Sequence, residues 1–142
     1  MRFPCIAAAR RFDPTAHLPF VIAGRQVGWI RRRDADALRR WRDVFRLDGD
    51  RIVLDEALST PDTRSMALAS VTGALAADGL IPGWRNEIYA IRNDFDAPPP
   101  AYIERAASRF FGTMTYAVHL NGIVEYAPGV PPVVTGGVSA NR

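Results

Sequence analysis

The most regular pattern along the chain is an alternation near its end. Met114, Tyr116, Val118, Leu120, Gly122, Val124 and Tyr126 form an almost unbroken apolar series. Thr115, Ala117, His119, Asn121, Ile123 and Glu125 between them are mostly polar. A period of two over a dozen residues predicts a half-buried strand, with Gly122 marking a bend or a close backbone approach. "APGVPP" then turns the chain and "VVT" opens a return strand. A helical period stands out upstream, where Leu68, Val71 and Leu75 make one stripe. Thr60 suits the N-cap of that helix, Pro61 its first position, and Asp62 the positive end of its dipole. Gly79 suits the left-handed residue beyond its end, with Leu80 folding back onto the last turn.

Shorter elements surround these two. Phe20 to Ile22 and Val27 to Ile30 are β-formers around Gly24, which predicts a tight hairpin. Leu38, Trp41 and Phe45 recur at i, i+3 and i+7, so Asp34 is expected to cap a helix running through them. Asp48-Gly49-Asp50 predicts a turn and Arg51 to Leu54 a strand. Pro82-Gly83 suits a type II turn, and Glu87 to Arg92 continues as a strand. "NDFDAPPPAY" is a proline-stiffened loop and the best internal boundary. "IERAASRFFG" fits a short helix by its apolar spacing but leads directly into a strand, so its type stays open. The sum is an α+β protein: a small mixed or antiparallel sheet with two main helices.

Composition narrows the functional classes. The 142 residues are 48% apolar and 23% charged, an ordinary globular balance for one domain or a domain plus a fragment. No apolar run approaches the roughly 20 residues that span a bilayer. The N-terminal apolar stretch, interrupted by Pro4 and ended by Arg10 and Arg11, is too short for a secretory leader. A cytoplasmic protein with no membrane partner is therefore expected. Cys5 is the sole cysteine, which excludes an internal disulfide and a cysteine-based zinc site, and it reads as a small buried hydrophobe. The net charge of +3 would suit nucleic acid, but all 18 basic residues are arginine. That replacement points to a compositional bias, and the densest run, "WIRRRDADALRRWRDVFR", intersperses aspartates in the manner of a solvated face. Nucleic acid is not expected as a partner.

Two constellations could carry chemistry. In "GWRNE", Trp84 offers a flat surface for a ring, Arg85 a fork for phosphate and Glu87 an acceptor. The competing reading has Trp84 plugging the core while Arg85 and Glu87 pair at the surface. His119 and Asn121 share one strand face, with Glu125 further along, and could bind a polar ligand or form an ordinary solvated face. Glu104-Arg105 reads as a structural bridge. No Gly-rich phosphate loop, H-E-x-x-H or G-x-S-x-G occurs, and no carboxylates have the helical spacing that holds a divalent cation.

Taken in order, "LPFVIAGRQVGWIRR", "ALSTPDTRSMALASVTGALAADGLIPGWRNEIYAI", "IERAASRFFG" and "YAVHLNGIVEY" resemble the N-terminal accessory region of Nudix hydrolases related to thiamin pyrophosphokinase. The likeness covers about Leu18 to Tyr126. It implies an accessory domain over residues 1–111 and, over 112–142, the first strand and hairpin of a truncated Nudix domain. "HLNG" would lie on the first long Nudix strand, and Ser139-Ala140-Asn141 matches the segment after the return strand. Gly136 and Gly137 depart from the arginines that the family tends to carry there. The glutamate-rich Nudix box does not occur in these residues.

By resemblance, then, this is the N-terminal portion of a Mg-dependent pyrophosphohydrolase for a thiamin-diphosphate-like or nucleoside-diphosphate-like substrate. It would have no catalytic residues and no cofactor of its own, and no activity alone; Mg belongs to the full-length enzymes. Trp84, Arg85, Glu87, His119 and Asn121 are its expected substrate-facing residues. The alternative is a stand-alone binding or interaction module, able to pair with a second copy through the exposed edge of the hairpin.

Overall fold

The computed structural model describes residues 12–124 and 133–141, with side chains as far as Val118. Cys5, Glu125 and the "APGVPP" turn lie outside the described residues. The expected first hairpin forms from β1 (His17–Ile22) and β2 (Arg25–Arg31), joined by Ala23 and Gly24, both at positive φ. That is the two-residue turn whose twist suits paired strands. A second hairpin joins β3 (Phe45–Asp48) to β4 (Arg51–Leu54). β1 and β4 then pair in parallel, giving a mixed four-stranded sheet in the order β2-β1-β4-β3.

The helix expected to run from Asp34 to Phe45 is corrected. A single turn, α1 (Arg32–Ala35), passes into a 3-10 segment over Asp36–Arg40, and Trp41 leaves helical geometry. Asp34 lies inside α1, and the N-cap position is held by Arg31 without a side-chain cap. Phe45 goes instead to the sheet, opposite Leu54, because it completes a buried aromatic cluster there. Its ring centroid lies 6.2 Å from that of Phe20 and 5.9 Å from that of Phe111, with Phe20 and Phe111 5.1 Å apart. Three rings at this spacing outweigh the slight preference of so short a helix.

The long helix α2 (Pro61–Ala77) takes the expected bounds. Thr60 and Thr63 exchange side-chain-to-backbone hydrogen bonds in a capping box. At the other end the Leu80 N–H donates to Leu75 O and the Gly79 N–H to Ala76 O, a Schellman closure. Leu68, Val71 and Leu75 are buried as the stripe predicted, and α2 packs against β6.

The proline loop is not a boundary, since it connects two strands that pair with each other, β5 (Ile88–Ile91) and β6 (Ala101–Glu104). The ambiguous segment is both things in succession: β6 runs straight into α3 (Arg105–Phe111), which stops at Gly112 in the left-handed region. One hydrophobic cluster, reaching from Leu18 to Phe111, joins the four-stranded sheet, α2, the β5–β6 pair and α3.

α3 meets β2 at two glycines. A Cβ on Gly28 would fall far inside contact with the Phe111 carbonyl oxygen and 3.1 Å from that of Gly112. A Cβ on Gly112 would overlap the backbone of Trp29. The two backbones approach this closely only because neither residue carries a side chain.

The alternating segment forms β7 (Ala117–Val124), paired antiparallel with β8 (Val133–Asn141) as a separate two-stranded sheet. It begins later than expected, and Met114 and Val118 of the expected apolar face are exposed. The irregularity foreseen at Gly122 is a register shift between Gly122 and Ile123. Among the described residues no helix is long and apolar enough to cross a membrane.

Candidate functional site

Trp84, Arg85 and Glu87 sit together in the extended turn between α2 and β5, all exposed. The turn is fixed rather than loose. Gly83 takes the positive φ that a type II turn requires, and Asn86 is left-handed at φ 57. Trp84 does not plug the core; the residue is 40% exposed, and its Nε1 donates to Asn86 Oδ1 at 2.9 Å. The indole is thus held by its polar edge with a face left to solvent. Glu87 pairs with Arg105, Nη1 to Oε2 at 2.9 Å, and not with Arg85. The Arg105 N–H also donates to the Glu87 carbonyl at 2.8 Å, which ties the turn to the start of α3. Arg85 makes no side-chain ion pair among the described residues.

Glu104 is the residue that organises this corner, and its expected bridge to Arg105 does not form. Its side chain is buried at 3% exposure. Oε1 accepts from the Arg85 N–H at 2.9 Å and from the Ala106 N–H at 3.4 Å, so one carboxylate oxygen caps α3 and anchors the turn at once. Oε2 is buried without a partner, as are Tyr89 Oη and Ser108 Oγ. Nothing in the local sequence around Glu104 points to Arg85, nineteen positions upstream.

A cleft of about 240 Å³ opens beside the turn. Leu80, Ile81 and Pro82 wall one side, Ala106, Arg109 and Phe110 of α3 the other, and Arg31 with Asp34 enters from the end of β2 and α1. Sequence reasoning missed Arg31 and Arg109, which lie far apart in the chain and share no motif with "GWRNE". An indole face, an unpaired guanidinium and a cleft carrying two more arginines can together receive a planar group and an anion.

His119 and Asn121 lie on β7, opposite Ser139 and Gly137 of β8. Their side chains are outside the described residues, so the structure brings together Trp84, Arg85 and Glu87 but describes no contact between these and His119 or Asn121. No cluster of three His, Cys, Asp or Glu side chains that could hold a metal ion occurs among the described residues.

Comparison with known proteins follows the same stretch of chain. Residues 2–115 match a family model described as a domain of unknown function, DUF4743. Two curated relatives come from Arabidopsis thaliana. Nudix hydrolase 24, chloroplastic, is 41% identical over 110 residues, covering 76% of this chain and 30% of its own length. Nudix hydrolase 20, chloroplastic, is 40% identical over 118 residues, with 76% of this chain and 31% of the relative covered. The chain therefore spans about a third of each relative and is homologous to a part of a Nudix hydrolase. With the family model covering most of its residues, the chain belongs to the DUF4743 domain family.

Proposed function

We propose that this domain supplies part of the substrate pocket of a Nudix-type, Mg-dependent pyrophosphohydrolase acting on a thiamin-diphosphate-like or nucleoside-diphosphate-like substrate. The observation that carries the reading is the turn anchored by Glu104, which presents Trp84 and Arg85 outward beside an arginine-bearing cleft, in a chain homologous to Nudix hydrolases. In this reading Trp84 stacks on the ring of the substrate and Arg85, with Arg31 and Arg109, faces its phosphates. Glu87 keeps Arg105 occupied, and His119 and Asn121 face the substrate from β7. In this reading metal binding and water activation fall to the rest of such an enzyme, and the role of this domain is binding and orientation.

The test is kinetic. Alanine at the positions aligned with Trp84 and Arg85 in a full-length relative is expected to raise KM about tenfold each, with kcat changed by less than about twofold. Unaltered KM in both variants would overturn the assignment.

A second reading rests on the β7–β8 pair, which no third strand joins among the described residues. An open edge of this kind can add a strand from another chain, and a stand-alone interaction module would use it to self-associate. Light scattering across a hundredfold concentration range distinguishes the two: a concentration-dependent dimer supports association through the hairpin, and a constant monomer mass removes it.

A further inference from the structure

A cavity of about 500 Å³ lies elsewhere, between the α1–3-10 segment and the β3 edge of the sheet. It shares no residue with the Trp84 turn or the cleft beside it. Its apolar lining combines four core residues, Leu18, Leu38, Phe45 and Ile52, with Ala35 and the exposed Leu47. Four arginines, Arg32, Arg39, Arg42 and Arg46, stand around them with three aspartates.

The aspartates are already engaged. Asp36 pairs with Arg39 at 2.8 Å, Asp50 with Arg32 at 3.4 Å, and Asp55 Oδ1 accepts from the Ala57 N–H at 2.8 Å. Arg32 is further held by the Thr15 carbonyl at 2.7 Å. The four lining arginines outnumber the three aspartates by one charge, and two of the guanidinium groups are paired with none of those aspartates. Arg42 has no ion pair among the described residues, and Arg46 has only a 3.7 Å approach to Glu56, which is not part of the lining. A pocket of this volume can enclose a small organic molecule, and its polar groups set which one.

We propose that this cavity is a second binding site, for an organic anion with an apolar body of one or two rings and a phosphate or carboxylate head. The body covers Leu38, Phe45 and Ile52, and the head is received by Arg42 and Arg46. Neither half suffices: inorganic anions lack the apolar contact, and a neutral aromatic leaves the two guanidinium groups facing no counter-charge. The site does not depend on the role assigned to Trp84 and Arg85.

Calorimetric titration of the 142-residue chain with 1-naphthyl phosphate tests it. Saturable binding below about 1 mM is expected, with inorganic phosphate at least about tenfold weaker. Replacing both exposed arginines, Arg42→Glu with Arg46→Glu, is expected to weaken 1-naphthyl phosphate at least about tenfold. Arg25→Glu, off the cavity, leaves the affinity as it was. 1-Naphthoate in place of the phosphate tells which head is preferred, and binding by either supports the site. The proposal is overturned if neither aryl anion saturates, if inorganic phosphate binds equally well, or if the double variant retains the affinity of the parent.

Discussion

Gly28→Ala is expected to lower the unfolding free energy by about 3 kcal/mol or more. The added methyl would be driven into the carbonyl oxygens of Phe111 and Gly112. Those are backbone atoms at the end of α3, and they cannot swing aside as a side-chain tip would. Relief requires α3 to slide away from β2, which opens the contact between the Phe111 ring and Phe20. Gly73→Ala is the matched comparison. Gly73 lies within α2, a Cβ there meets nothing within 4 Å, and alanine favours the helix, so that variant is expected to gain about 0.5–1 kcal/mol. Chemical denaturation of the two variants beside the parent checks both signs, and equal midpoints for Gly28→Ala and the parent would refute the close-contact account.

Replacement of Glu104 by leucine is expected to cost about 2–4 kcal/mol, and replacement by glutamine less than about 1 kcal/mol. Leucine removes the acceptor shared by the Arg85 and Ala106 N–H groups and strands both donors. Glutamine keeps a carbonyl oxygen for them. It also removes a buried charge, and the parent carboxylate has one oxygen buried without a partner, so the loss of charge offsets part of any change in hydrogen-bond strength. The contrast is diagnostic. If glutamine proves as damaging as leucine, Glu104 acts through its charge and not through the geometry described for Oε1. Thermal and denaturant unfolding measure the cost, and near-ultraviolet circular dichroism of the Trp84 corner reports whether the turn loosens with it.

What the sequence revealed, it revealed where a signal is local. α2 is legible because its cap, its proline, its apolar stripe and its closing glycine lie within one run of chain and agree with one another. The β1–β2 hairpin is legible for the same reason. The 38–45 segment is misread because Leu38, Trp41 and Phe45 satisfy a helical spacing, and only the distant rings of Phe20 and Phe111 settle Phe45 in the sheet. The proline loop reads as a boundary because its composition says nothing about β5 and β6 finding each other across it. At the candidate site, the turn carrying Trp84 and Arg85 is visible in Pro82-Gly83, whereas the carboxylate that anchors it arrives from β6. A buried glutamate with a remote backbone partner looks, along the chain, like any surface acid.

The approach of α3 to β2 reaches further than its own packing. Seven residues are too few to hold a helix in water, so α3 persists because its last turn is seated on Gly28 and its first is capped by Glu104. Glu104 in turn fixes Arg85. The posture of an exposed arginine is therefore inherited, through one short helix, from a glycine in the second strand. Changes at Gly28 and Glu104 should not add: once one end of α3 has been released, little remains for the other to hold.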